Sequence, residues 1–154
     1  MGTTTAAVQG FFGIATWPTE IVEHDLGGRI LDIIPIPGHQ TQHIAVYDRK
    51  DDLLLTGDTL YPGRLYISSW SAYQASIPRM VDFVAAGNPV TWVLGTHIEM
   101  TTTPKQDYPM GASQHPNEHV LQLSYDVLLE LDQAVKAQGA TPSYEEHDDF
   151  IIYP

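Results

Sequence analysis

The chain has 154 residues, and a hydrophobic content of 43% with only 17% charged residues is typical of a folded domain and excludes an intrinsically disordered chain. Its formal net charge of −12, from 7 basic and 19 acidic residues, argues against nucleic acids and anionic membrane surfaces as partners. No cysteine is present, which excludes disulfides and thiolate ligands, so any metal site must use histidine and carboxylate side chains.

The length predicts a single domain over residues 1–154, in which residues 1–20 form a poorly ordered or linking segment. The first residues, Met1-Gly-Thr-Thr-Thr-Ala-Ala, contain no basic region followed by an apolar stretch, so they do not predict a signal peptide. No run approaches the roughly 18 apolar residues of a membrane span. These features predict a cytoplasmic protein with no membrane partner, although the lack of cysteine leaves the redox compartment open.

Short apolar stretches, rich in β-branched residues and separated by polar or glycine-containing turns, predict a series of β-strands. In chain order they lie at residues 21–23, 29–35, 44–47, 53–56, 90–94 and 150–153. The third and fourth stretches are joined by the polar turn at residues 48–52, so together they predict a hairpin.

Two longer segments have the apolar spacing of one helix face. The first covers residues 69–86, begins at a serine cap and contains Pro78, which we expect to kink or shorten it. The second has Asn117 as its cap and ends at Gly139. The long loop at residues 100–118 is of a length typical of functional or mobile segments. Strands mixed with two helices predict a layered α/β or α+β domain.

Three residues of metal-ligating type each follow a predicted strand in a glycine-containing turn: His39, Asp58 and His97. Taken singly, each has an ordinary explanation, because a histidine can end a strand and an aspartate can form a turn or a cap. Taken together they indicate a metal site, because ligand sites collect at strand ends in layered α/β sheets.

Four motifs in this order resemble the metallo-β-lactamase-fold hydrolase superfamily, and the similarity runs from about Leu26 to the C-terminal segment around His147. Each motif alone is a weak signal, whereas the combination in this order is specific. The motifs are Ile34-Pro-Ile-Pro-Gly-His39, His43-Ile-Ala-Val-Tyr-Asp48, Leu53-Leu-Leu-Thr-Gly-Asp-Thr-Leu-Tyr-Pro-Gly-Arg-Leu-Tyr66 and Gly95-Thr-His-Ile-Glu-Met100.

The resemblance implies a four-layer αββα sandwich with one or two zinc ions at the sheet edge. Two histidines and one carboxylate also suit iron, which is the alternative metal. It implies that His39 is the third histidine of the first metal site and that Asp58 bridges both metals. His97 is then the last histidine of the second site. A metal-bound hydroxide, positioned by Asp58 as the catalytic residue, attacks an ester, thioester, lactone or amide substrate in this interpretation.

The superfamily's upstream signature, His-x-His-x-Asp-His, is absent from this chain. The chain therefore resembles the C-terminal half of the family sandwich, a mixed sheet with two main helices. Half a sandwich exposes a sheet face that a partner must cover, which predicts a homodimer or a separate N-terminal half. Without the upstream signature, a single ion would be held by the three ligand-type residues that this chain retains, His39, Asp58 and His97.

Two hypotheses from different classes follow from these observations. The first is a metal-dependent hydrolase acting on a small-molecule substrate. The alternative is a non-catalytic, dimeric or partner-binding remnant or fragment of such an enzyme, with an incomplete metal site. Neither the substrate nor antibiotic hydrolysis follows from the fold.

Three further residues are candidates for a supporting role. His43 lies close to His39 in the chain and either orients substrate or serves as a structural imidazole. Arg64 either contacts an anionic substrate or pairs with one of the many acidic residues. Glu99 either orients a metal-bound histidine or is a solvated loop acid.

Overall fold

The computed structural model describes residues 4–154, which contain three helices and nine strands. The helices are α1 (Thr5–Phe12), α2 (Trp70–Ala85) and α3 (Tyr125–Gln138). The strands are β1 (Val22–Asp25), β2 (Ile30–Pro35), β3 (Ile44–Asp48), β4 (Leu53–Gly57), β5 (Arg64–Tyr66), β6 (Trp92–Gly95), β7 (Gln122–Leu123), β8 (Glu145–Glu146) and β9 (Ile151–Tyr153).

The larger sheet has six strands in the order β1-β2-β3-β4-β6-β7. The first four pair antiparallel in a meander, β4 and β6 pair parallel, and β7 pairs antiparallel with β6. As a result β2, β4 and β6 all run in the same direction, and their carboxyl ends lie at the same edge of the sheet. A smaller sheet of three strands has the order β5-β9-β8.

Helices α2 and α3 cover one face of the larger sheet. The buried side chains of β3, β4 and β6 on that face alternate with outward-facing ones, as the two-residue period of a strand requires. Tyr47, Leu54 and Val93 lie in one hydrophobic core with Ile77 of α2 and Leu128 of α3. Burying this apolar surface is the main stabilising contribution to the fold.

The opposite side of the sheet is only partly covered. Helix α1 contacts this side, where the rings of Phe11 and Phe12 pack near His24 of β1. Further along the sheet the outward side chains are apolar and partly exposed. We call this patch the outer sheet face; it comprises Val46, Leu53, Leu55, Trp92 and Leu94.

The prediction of a layered α+β domain with two main helices is confirmed, and the predicted strands match β1, β2, β3, β4, β6 and β9 with small shifts of their ends. The assignment of a single domain stays a prediction. Helix α1 lies within the segment predicted to be poorly ordered or linking, and residues 1–3 of that segment lie outside the described residues.

The structure corrects the start of the second helix. Asn117 is not its cap, because this residue has a left-handed φ of 60° in the long loop, and the helix begins after Ser124. Gln122 and Leu123, just before Ser124, form β7, since pairing with β6 satisfies backbone groups that a helix would otherwise bond internally. Pro78 does not shorten α2, which runs for 16 residues around it because Tyr73, Ile77 and Met80 anchor the helix in the core.

No helix in the described part of the chain is long and apolar enough to cross a membrane.

Candidate metal centre

The fold brings together the three residues that the sequence predicted as metal ligands. His39 lies in the loop after β2, Asp58 directly follows β4, and His97 lies two residues after β6. Since these three strands end at one edge of the sheet, residues far apart in the chain become neighbours there.

Asp58 lies between the two histidines and contacts each of them through a different carboxylate oxygen. Its Oδ2 is 3.2 Å from His39 Nε2, and its Oδ1 is 3.1 Å from His97 Nε2. The hydroxyl of Thr96 also donates a hydrogen bond to Oδ1. The carboxylate is about one-third exposed, so solvent and small molecules can reach it.

The tautomer of His39 follows from its second contact. Nδ1 of His39 is 2.8 Å from the carbonyl oxygen of Tyr66, which can only accept a hydrogen bond, so Nδ1 carries a proton. In a neutral imidazole the lone pair is then on Nε2, facing the Asp58 carboxylate. A cation placed between this nitrogen and the carboxylate would be attracted by both. Histidine ligands of metals are usually oriented in this way, by a hydrogen bond from the ring nitrogen that does not face the metal to a carbonyl oxygen.

His97 contacts Tyr61 as well as Asp58, and it is the most exposed of the three predicted ligands. Its ring packs edge-on against the ring of Tyr61, with 5.3 Å between centroids, while 56% of its side chain is exposed. Tyr61 is buried, and burial raises its pKa, so it stays neutral next to the site.

His43 lies next to His39 and Asp58. Burial lowers the pKa of His43 to about 4, and the charge of His39 acts in the same direction, so its imidazole is neutral at physiological pH. Its Nδ1 lies 3.3 Å from the hydroxyl of Thr59. Gly57 makes this approach possible, because a Cβ there would come within 2.5 Å of His43 Nε2, and its φ of 57° favours glycine.

Arg64 is not free to meet an anionic substrate. The residue is only 8% exposed, and its guanidinium pairs with Asp107 and lies 3.4 Å from Glu99. It also donates to the carbonyl of Tyr108 at 2.9 Å. Of the two roles considered for Arg64, the structure favours pairing with acidic residues. Glu99 in turn accepts the backbone N–H of Arg64 at 3.0 Å and is therefore not a purely solvated acid.

A cavity of about 260 Å³ opens beside the histidines. One wall is apolar, from Val8 of α1 and Ile44 of β3, and the other carries amide, imidazole and carboxylate groups. The lining residues are Val8, His39, Gln40, Gln42, His43, Ile44 and Asp58. Among the residues that the structure describes, no lysine or arginine lines the cavity, so the polar part of its lining is neutral to negative.

The donor types fit a zinc or iron ion, since both metals accept imidazole nitrogen and carboxylate oxygen. As the side chains stand, however, no group of three or more histidine, aspartate or glutamate residues within residues 4–154 is placed to hold an ion. The two histidines instead contact opposite oxygens of one carboxylate.

Comparison with known families decides where the chain belongs. The family description "Metallo-beta-lactamase superfamily" matches residues 6–108, well over half of the chain, including the site. The chain belongs to the metallo-β-lactamase superfamily. The expected relationship is thereby confirmed, and the superfamily is one of hydrolase-type proteins.

Similar proteins in this superfamily are longer than the chain. An acyl-coenzyme A thioesterase, MBLAC2 of Gallus gallus, is 34% identical over 79 residues, which cover 49% of this chain and 28% of the relative. A crystal structure of the archaeal superfamily protein ST1585 from Sulfolobus tokodaii is 22% identical, with a TM-score of 0.44, and the match covers 74% of this chain and 36% of that one. The chain thus spans about a third or less of these two proteins.

Several residues around the site were not predicted. Tyr66 was missed because the short strand β5 has no clear pattern, and its contribution is a backbone carbonyl. Tyr61 and Val8 lie in segments whose position relative to the site only the tertiary fold fixes. Thr96 had a signal, since it directly precedes His97 in the motif.

Proposed function

We propose that the protein is a metal-dependent hydrolase in which His39, Asp58 and His97 hold a zinc ion, with iron as the alternative. The observation that supports this most is the contact of both histidine Nε2 atoms with the two oxygens of Asp58. Superfamily membership supports the same reaction class.

When bound, the metal supplies a Lewis acid that activates water at neutral pH. The residues of the chain orient the reaction. Asp58 accepts a hydrogen bond from the attacking water and holds it in line with the substrate. The Tyr66 carbonyl keeps the proton of His39 on Nδ1, so that Nε2 remains a donor atom for the site.

For the substrate we propose an acyl thioester or ester that is neutral around its carbonyl group. The cavity supports this class, because Val8 and Ile44 offer an apolar wall and Gln40 and Gln42 offer amide donors. A phosphate directly beside the reacting carbonyl would find no lysine or arginine among the described residues that line the cavity. The thioesterase relative from Gallus gallus points to the same class.

The alternative function is that of a non-catalytic remnant. It is favoured by one observation: no three side chains among the described residues are placed to hold an ion without movement. Metal binding separates the two hypotheses directly, because a remnant site has no stoichiometric metal.

The test is the zinc content of the 154-residue protein, measured by elemental mass spectrometry after zinc loading and desalting. We expect about one zinc per chain, lost in Asp58→Asn and in His97→Ala. Hydrolysis of short acyl thioesters should fall on the order of 100-fold or more in both variants, since a metal contributes several kcal/mol to the transition state.

His24→Gln is the matched control. His24 pairs with Leu31 at the far end of β2 from the site, so this variant should keep both metal and activity. Zinc content near zero in the wild type, or unchanged zinc in Asp58→Asn, would contradict the proposal and favour the remnant.

We also propose that a second copy of the chain covers the outer sheet face. Leu55 and Trp92 on this face are 40% and 44% exposed, and an apolar patch of this kind favours association in water. A chain with a net charge of −12 repels its own copy, so contact is favoured where no charge is presented. The five residues of the outer sheet face are all uncharged.

A further inference from the structure

The backbone of β5 contacts His39 directly and is connected to His97 by way of Tyr61. The Tyr66 carbonyl accepts the Nδ1–H of His39 at 2.8 Å. The Arg64 carbonyl accepts a hydrogen bond from the hydroxyl of Tyr61, whose ring packs against His97. A three-residue strand therefore sets the position of both imidazoles.

A strand this short cannot fix its own position, because it has few backbone hydrogen bonds. One side of β5 pairs with β9. On the other side the Arg64 N–H donates to the Glu99 carboxylate at 3.0 Å, and the Glu99 N–H donates to the Pro62 carbonyl at 2.7 Å. The strand is thus bound to the loop that follows His97.

The Arg64 side chain adds further bonds between β5 and the loop that follows His97. Its guanidinium pairs with Asp107, donates to the Tyr108 carbonyl at 2.9 Å and lies 3.4 Å from Glu99. Its Nε also donates to the hydroxyl of Tyr66 at 3.1 Å. A buried guanidinium with this many partners has one allowed geometry, so it fixes the loop and the strand relative to each other.

We infer that Arg64 is a positioning residue for the metal centre: it acts through the carbonyls of β5 to orient His39 and, by way of Tyr61, His97. The inference rests on the proposed function for its consequence on metal binding. Its structural part concerns only the histidine side chains and holds with or without metal.

The first test is histidine side-chain ¹⁵N NMR of the protein without added metal. The wild type should show His39 with its proton on Nδ1, with the assignment made from His39→Gln. In Arg64→Lys, which keeps the positive charge, that signal should shift toward a mixture of tautomers. A wild-type His39 protonated only on Nε2, or an unchanged spectrum in Arg64→Lys, would overturn the inference.

The second test is zinc affinity by competition with a chelating dye. We expect a loss of about 10- to 100-fold in Arg64→Lys, the usual effect of removing an outer-shell partner. Arg29→Gln is the control, because it breaks an ion pair with Asp48 at the opposite end of β2 and should leave zinc affinity unchanged. An equal loss of zinc affinity in both variants would mean that Arg64 contributes only to general stability, and it would overturn the inference.

The two tests separate this inference from the proposed function. If the wild type binds no zinc but the His39 tautomer still depends on Arg64, the proposed function fails and the positioning role stands. If zinc binds normally and neither the tautomer nor the affinity depends on Arg64, the proposed function stands and the positioning role fails.

Discussion

At the scale of single residues, the candidate metal centre depends on small residues as much as on the three proposed ligands. Asp58 can lie between the histidines only because the chain turns sharply at Gly57 and packs closely on His43. Gly95, the last residue of β6, has the same function, since a Cβ there would come within 2.3 Å of the Cβ of Tyr61. These two glycines let the strand ends pack closely against Tyr61 and against the imidazole of His43.

We predict that Gly57→Ala lowers the free energy of unfolding by about 1–3 kcal/mol, because alanine is strained at a φ of 57° and its Cβ contacts His43. Gly10→Ala is the control, since Gly10 lies in α1 with open space around it and alanine favours a helix. Urea unfolding of both variants measures the difference. Equal stability of Gly57→Ala and the wild type would show that this turn is not under steric constraint.

At the scale of elements, α2 joins the core to the loops of the metal centre. Its buried side chains donate hydrogen bonds to carbonyls in those loops: the Tyr73 hydroxyl to Thr59 and the Ser76 hydroxyl to Pro37 at 2.7 Å. The backbone N–H groups of Ser68 and Ser69, just before the helix, both donate to the Gly38 carbonyl at 2.9 Å. The helix thereby fixes the loop that carries His39.

We predict that Ser76→Ala lowers the free energy of unfolding by about 1–2 kcal/mol, because it leaves the Pro37 carbonyl buried without its partner. Ser71→Ala is the matched control, since Ser71 lies exposed on the same helix and alanine has the higher helix propensity. Thermal or urea unfolding distinguishes them. A smaller effect for Ser76→Ala than for Ser71→Ala would rule out a structural role for this hydrogen bond.

At the scale of the whole molecule, the sheet is asymmetric. One face lies under α2 and α3, whereas the other is covered by α1 only in part and leaves the outer sheet face open. This asymmetry is the basis for the proposed second copy.

We predict a dimer at micromolar concentration, measured by sedimentation or light scattering, that Leu55→Glu weakens at least about tenfold by placing a charge in the contact. Leu26→Glu is the control, because Leu26 is more exposed but lies in the turn after β1, away from the outer sheet face. A wild-type monomer, or equal weakening by both variants, would contradict the proposed interface.

Much of the fold was predictable because its signals are local. Short apolar stretches bounded by turns predicted six of the strands, and spacing at 3–4 residues predicted α2. The positions of His39, Asp58 and His97 after these strands predicted a metal site, and the resemblance of four motifs in order predicted the superfamily. The short elements were not predictable, because β7 exists only through pairing with β6, and the sequence before it reads as part of a helix.

The sequence by itself determined the residue types that the candidate centre offers and the strands that carry them, because both depend on neighbours in the chain. Only the tertiary structure decided that Asp58 lies between the histidines, that Arg64 is enclosed by Asp107 and Glu99 rather than open to substrate, and that β5 supports both imidazoles. These contacts join residues that are tens of positions apart. Their geometry follows from strand pairing and core packing, which no local pattern records.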